Sequence, residues 1–166
     1  MKSDKVYLVG FMGAGKTTVA RALAKRLDWQ AIDIDELVEQ REHDTVAAIF
    51  AKQGEPYFRA TERAVLLDQA GCRHAVVATG GGTFADPQNR VMINRDGVSV
   101  WLDVPVERLI PRVPVDGRRP LAGDRAEFER LYTVRRSAYQ QAHVRVDASR
   151  VSVDAIVDQL VDWLEH

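Results

Sequence analysis

Cysteine is almost absent: the 166-residue chain contains one, Cys72. That excludes a disulfide framework and any metal site built on cysteines. Charge of one sign is missing too. Lys and Arg number 23 against 24 Asp and Glu, a formal net charge of −1, so no excess points to nucleic acid or an anionic membrane. No apolar run approaches the length of a membrane span, and Met1-Lys2-Ser3-Asp4 lead straight into a strand-like stretch rather than a leader. The four histidines show no metal-ligand or triad spacing; His43 sits in a polar turn and His166 is terminal. Repeats, low-complexity tracts and interdomain linkers are missing. What these absences leave is one globular domain over 1–166, expected to be cytoplasmic and monomeric, with no nucleic-acid or membrane partner.

What is present begins with G-F-M-G-A-G-K-T-T at 10–18. Apolar, β-favouring Val6-Tyr7-Leu8-Val9 precede it, and Val19, Leu23 and Leu27 follow at spacings of four, one face of a helix. Glycines between a buried strand and a helix start let several N–H groups point into one concavity, where the helix dipole adds partial positive charge. This is the phosphate-loop pattern. Gly13, Ala14, Gly15, Lys16, Thr17 and Thr18 are therefore expected to hold the phosphates of a nucleoside triphosphate. Lys16 would reach the β- and γ-phosphates, and the Thr17 hydroxyl would ligate Mg²⁺.

Strand and helix patterns then alternate. Further strands are expected at 31–35, 75–79, 98–102 and 143–147. Helices are expected at 36–41, 46–53 (capped by Asp44 or Thr45), 55–69, 86–96, from Pro105, 126–141 and 153–164. The stretch 113–125 holds Pro114, Gly117, Pro120, Gly123 and several charges, and reads as an irregular surface segment acting as a lid. The expected fold class is α/β: a five-stranded parallel sheet with helices on both faces, a three-layer phosphate-loop kinase fold with a mobile lid. Ligands of such folds lie beyond the carboxyl ends of the strands. Trp29, Trp101 and Trp163 are expected to pack in or at the edge of the core.

Asp33 and Asp35, two apart, would share a face at the end of the second strand. One could hold Mg²⁺ and the other could orient a hydroxyl and accept its proton; a helix cap at Asp35 is the simpler alternative. The expected Walker-B position offers Thr79 instead of an acid, which favours Asp33 for the metal. Gly80-Gly81-Gly82 end a buried strand and suggest a backbone that a ligand approaches closely. Arg59 and Glu62 lie three apart on a helix, close enough to pair. Arg112, Arg118, Arg119 and Arg125 lie in or beside the irregular segment, and Arg135 and Arg136 on the helix after it. Arginine there could neutralise a transferring phosphoryl group or grip a carboxylate with two parallel hydrogen bonds.

In this order the pieces resemble shikimate kinase over nearly the whole chain. The likeness rests on G-F-M-G-A-G-K-T-T at 10–18, D-I-D-E-L at 33–37, G-E-P-Y-F-R-A-T-E at 54–62 and T-G-G-G at 79–82. It continues through W-L-D-V-P at 101–105, R-R-P-L at 118–121 and R-R-S-A-Y at 135–139. The resemblance implies ATP- and Mg²⁺-dependent transfer of a γ-phosphoryl group to the shikimate 3-hydroxyl, a step of aromatic amino acid biosynthesis. It implies that Asp35 holds the substrate hydroxyls and Asp33 the Mg²⁺ site. Arg59 and Arg135 would hold the substrate carboxylate beside Gly81 and Gly82. Arg119 of the lid would approach both substrate and phosphoryl group, and Arg112 and Arg150 would flank adenine. The lid carries Ala122 where the family usually has leucine. Two other functions fit parts of the pattern. A gluconate-kinase-like sugar-acid kinase would share the fold and the need to hold a carboxylate, and a non-catalytic ATP-binding module would share the fold alone.

Overall fold

The computed structural model of the chain describes residues 1–112, with the Arg112 side chain excepted, and 125–166. The expected lid at 113–125 therefore lies outside the described residues, together with Arg118, Arg119 and Ala122; its last residue, Arg125, begins a helix.

Among the described residues five strands form one sheet: β1 (Lys5–Val9), β2 (Gln30–Asp33), β3 (Ala75–Ala78), β4 (Val98–Asp103) and β5 (Val144–Asp147). Their order is β2-β3-β1-β4-β5 and every pairing is parallel. All residues of β1 and β3 are buried, so both faces of the sheet centre are covered. The helices are α1 (Lys16–Leu27), α2 (Ile34–Glu42), α3 (Val46–Gln53), α4 (Glu55–Asp68), α5 (Pro87–Asp96), α6 (Val106–Leu109), α7 (Arg125–Tyr139) and α8 (Val153–Glu165), with a short 3-10 turn at Ile110–Arg112. Helix α1 packs on α8, while α2 and α3 both pack on α4. Leu8 of β1 lies opposite Ala78 on one side and Val100 on the other. The chain thus steps from β1 towards β3 and β2 and later resumes at β4 on the opposite side. That reversal opens a crevice beyond the end of β1, where the phosphate loop lies.

The second strand ends earlier than the alternation of 31–35 suggests. β2 stops at Asp33, and Ile34 and Asp35 already belong to α2. The reason is a cap: the Asp33 carboxylate accepts the Glu36 N–H at 3.0 Å, satisfying a donor of the first helical turn. Asp33, not Asp35, is the cap, and the two carboxylates leave from a strand end and a helix turn rather than from one strand face. Thr45, not Asp44, caps α3.

The amino end of the sheet is closed by charge. Lys5 is fully buried, donates to the Gln69 carbonyl and pairs with Asp96 at 2.6 Å. Asp96 also accepts from the Tyr7 hydroxyl and from Arg73, which holds Asp4. Burial pushes the Asp96 carboxyl up, but the hydrogen bonds from Lys5 and Tyr7, with the charges beside them, outweigh it and hold it below the usual value.

Candidate active site

Gly10 follows β1 with φ 149°, and a Cβ there would meet the Leu102 carbonyl oxygen at 3.0 Å. Only glycine lets the loop leave the sheet so close to β4. Gly15 caps α1 in the left-handed region, φ 96° and ψ 18°, which frees the first N–H groups of the helix to face outward. Lys16 opens α1, is 8% exposed, and folds its ammonium over the loop towards the Gly10 and Phe11 carbonyls. The Thr17 hydroxyl donates to the second oxygen of Asp33 at 2.6 Å. Beside them opens a cleft of about 430 Å³, lined by Gly13 through Thr18 together with Asp33, Asp35 and Thr79. Arg21, Glu36, Glu39 and Val46 complete its outer wall. Thr79 cannot stand in for a Walker-B acid: its hydroxyl donates into the sheet, to the Leu8 carbonyl at 2.8 Å.

The triple glycine at the end of β3 has a use that the sequence does not disclose. None of its three residues has a positive φ, so conformational freedom is not the reason for them. Space is. A Cβ on Gly80 would lie 2.8 Å from Asp35 Oδ1, one on Gly81 3.3 Å from an Arg135 nitrogen, and one on Gly82 2.5–2.7 Å from the Arg59 guanidinium. Each glycine is thus the bed of one expected site residue. The turn brings a carboxylate and two guanidiniums, from α2, α7 and α4, onto one short stretch of backbone.

Electrostatics around this turn are uneven. Glu62 is 1% exposed and accepts from Arg59 at 3.1 and 3.3 Å and from the Thr83 hydroxyl at 2.9 Å. Burial pushes its carboxyl up; the Arg59 charge opposes this and nearby Asp35 adds to it. Arg135 is 6% exposed, 5.8 Å above the Phe11 ring, beside the Tyr139 hydroxyl that donates to the Gly81 carbonyl at 2.5 Å. Burial pulls the Arg135 guanidinium down, and the neighbouring Arg59 charge pulls the same way. Two guanidiniums therefore repel across a largely desolvated space, an arrangement that an anion would relieve.

Arg136 faces elsewhere, 5.4 Å from the Trp101 ring and bonded to Tyr132. Arg150 is exposed in the loop after β5, and the backbone of Arg112 ends the 3-10 turn. Arg150 is not among the described residues that line the phosphate-loop cleft. Among the described residues no group of three or more His, Cys, Asp or Glu could hold a metal ion, and no helix is long and apolar enough to cross a membrane. Thr83 and Tyr139 are the site neighbours that sequence reasoning gave no part. Tyr139 carried a usable signal, since it follows Arg135 by one helical turn.

Comparison with known proteins bears on the whole chain. A sequence profile of the family described as shikimate kinase matches residues 12–165. A shikimate kinase of Persephonella marina is 38% identical over 157 residues, covering 94% of this chain and 96% of the relative. One of Symbiobacterium thermophilum is 40% identical over 167 residues, covering 97% and 96%. Among solved structures, a shikimate kinase from Acinetobacter baumannii in complex with shikimate superposes with TM-score 0.94 at 32% identity, over 98% of this chain and 93% of that one. A deoxyadenosine kinase from M. mycoides with bound dATP, 17% identical with TM-score 0.65 over 98% and 99% of the two chains, shares the fold alone.

Proposed function

Because the chain belongs to the shikimate kinase family, we propose that the residues gathered around its phosphate loop and triple glycine divide the work of that reaction as follows. The reaction itself is ATP-dependent transfer of the γ-phosphoryl group to the shikimate 3-hydroxyl, giving shikimate 3-phosphate and ADP; the gluconate-kinase-like alternative is not favoured. The loop amides of 13–18 and Lys16 cradle the ATP phosphates. Lys16 neutralises the charge that grows on the β,γ-bridge as the bond to the leaving phosphate oxygen breaks. Arg59 and Arg135 take the shikimate carboxylate between them, beside the backbone of Gly81 and Gly82. That grip fixes the ring so that its 3-hydroxyl faces Asp35 and the γ-phosphate. Asp35 accepts the hydroxyl proton as the new O–P bond forms. Arg119 would enter from the lid, and Arg112 and Arg150 would flank adenine.

The Thr17 hydroxyl and the Asp33 carboxylate, 2.6 Å apart, are hard oxygen donors of the kind Mg²⁺ takes, and they face the phosphate-loop cleft. They would hold the ion, which when bound would supply charge neutralisation to the phosphates. Near-neutral net charge and a single cysteine support a cytoplasmic protein, taken as a monomer, that needs no nucleic-acid or membrane partner.

The observation that carries this reading is the placement of Asp35, Arg135 and Arg59 over Gly80, Gly81 and Gly82 in turn. It supplies a proton acceptor and a carboxylate clamp at one spacing. The test is a coupled ADP-release assay with shikimate, quinate and gluconate. Turnover is expected with shikimate far above the other two. Equal ADP release with and without shikimate, or preference for gluconate, would sink the reading.

A further inference from the structure

Thr83 is fully buried directly after the triple glycine, and its polar atoms are all used. Its N–H donates to the Gly80 carbonyl at 3.2 Å, and the Gly80 N–H donates back to its hydroxyl at 2.9 Å, so the turn is closed at both ends by one residue. A hydroxyl has a single proton to give. That proton goes to Glu62 Oε2 at 2.9 Å, on the carboxylate that also receives Arg59. The Thr83 carbonyl accepts from the buried Asn89 side chain at 3.1 Å, which ties the same residue to α5.

We propose that Thr83 is the positioning residue of the substrate-carboxylate site: its hydroxyl locks Glu62 to the glycine turn, and so sets Arg59 over Gly82. The inference rests on the roles given above to Arg59 and Asp35. Its geometry follows from directions. Arg59 and Glu62 lie on one helix, so their pairing fixes the guanidinium relative to α4 only. Arg63, one residue after Glu62, ties α4 to Asn89 and Asp86 beyond the turn, but the tie to the glycine turn itself, at the carboxylate that holds Arg59, is the hydrogen bond from Thr83. Without it, the Arg59 fork is held less tightly against the Gly81–Gly82 backbone, and a bidentate grip tolerates little misplacement. A threonine that merely satisfied the core would affect folding and nothing else.

The two possibilities separate in kinetics. Thr83→Val keeps the shape and removes the hydroxyl; Thr83→Ser keeps the hydroxyl. In the full-length enzyme Thr83→Val is expected to raise the shikimate KM about tenfold or more, with the ATP KM within about twofold of wild type. It should also move the acid limb of kcat/KM for shikimate to higher pH. Glu62 faces Arg59 on its own helix, Asp35 from α2, Arg135 from α7 and Thr83 from the turn. Of the groups facing Glu62 only the Thr83 hydroxyl is removed (the Gly80 N–H loses its acceptor as well), and its bond favours the charged carboxylate, so its loss makes Glu62 easier to protonate. Thr83→Ser should restore both quantities to within about threefold. If the valine variant does not fold, Thr83→Ala is read in the same way. A folded Val or Ala variant with unchanged shikimate KM and acid limb, or a Ser variant as damaged as Val, overturns the role of Thr83. Arg59→Lys, run alongside, tells the failures apart. If it is damaged while Thr83→Val is normal, only Thr83's role falls; if both are normal, the arginine reading falls and takes this inference with it.

Discussion

The two ends of the sheet treat charge in opposite ways. At the amino end Lys5 is fully buried, yet its ammonium is met by Asp96 and the Gln69 carbonyl, and Asp96 is met again by Tyr7 and Arg73. Cations and anions close on one another within the chain. At the carboxyl end Arg59 pairs with Glu62 and Glu55 on its own helix, while buried Arg135 stands near enough to Arg59 to repel it, and for Glu62 the upward push of burial outweighs the neighbouring charge, as it does not for Asp96. A balanced network holds a fold; Arg135, buried and with no carboxylate at ion-pair distance among the described residues, is kept at some cost to stability and is suited to receiving an anion. The difference teaches where to look for function: not at buried charge as such, but at buried charge the chain leaves unbalanced.

The strongest way to separate the ends is to remove one carboxylate from each. Asp35→Asn still hydrogen-bonds a hydroxyl but cannot accept its proton, so kcat should fall by about 10²–10⁴-fold while folding and ATP binding persist. Single-turnover assays beside calorimetry with ATP check this; normal turnover would demote Asp35 to a structural residue. Asp96→Ala should do the reverse. Stranding the Lys5 ammonium is expected to lower unfolding free energy by about 3–5 kcal/mol in urea titrations, with kcat unchanged at a temperature where the variant is folded. An Asp96→Ala variant that loses turnover but not stability would contradict the division.

Smaller effects sharpen the carboxyl end. Arg59→Lys keeps the charge and loses the planar fork. The shikimate KM should rise by at least roughly thirtyfold, the lower part of the ~2–5 kcal/mol range for breaking a buried charged contact, while ATP affinity without shikimate stays put. Gly82→Ala places a methyl group where the Arg59 guanidinium lies. Because a side-chain tip can swing away, about a tenfold rise in shikimate KM is expected, without a matching loss of stability. The smallest effect is one of pH. Asp96 has its carboxyl held below the usual value, so its stabilisation is present above the ordinary carboxylate range and is lost as pH falls through the depressed value. Glu62 has the opposite sign: its raised carboxyl contributes stability at low pH that is lost as pH rises through the raised value. The stability gap between wild type and Asp96→Asn should therefore narrow on acidification, as urea midpoints at neutral and acid pH would show.

Much of this was legible before any coordinates. The phosphate loop reads directly because its glycines, Lys16 and Thr17 are consecutive, and the parallel sheet because strand and helix patterns alternate. The strand order was not legible, since alternation says nothing about which side of β1 the chain returns to. The end of β2 was misread although a cue existed. Asp33 with Glu36 three residues on has the spacing of a helix start, but the alternation of 31–35 masked it. Thr83 and the Lys5–Asp96 pair were invisible for another reason: their partners lie 21 and 91 positions away, beyond any local pattern.

The claim that the carboxyl end keeps an unbalanced cation for its substrate is tested most directly at Arg135. Arg135→Met substitutes an apolar chain for the buried guanidinium against Phe11 and removes one of the two repelling charges. Urea unfolding and shikimate titration calorimetry on the same preparation decide the matter. Stability of the free protein is expected to be unchanged or higher while shikimate affinity falls by at least roughly thirtyfold. A variant destabilised as deeply as Asp96→Ala that still binds shikimate at wild-type affinity would show Arg135 to be a structural cation, and the contrast between the two ends of the sheet would not stand.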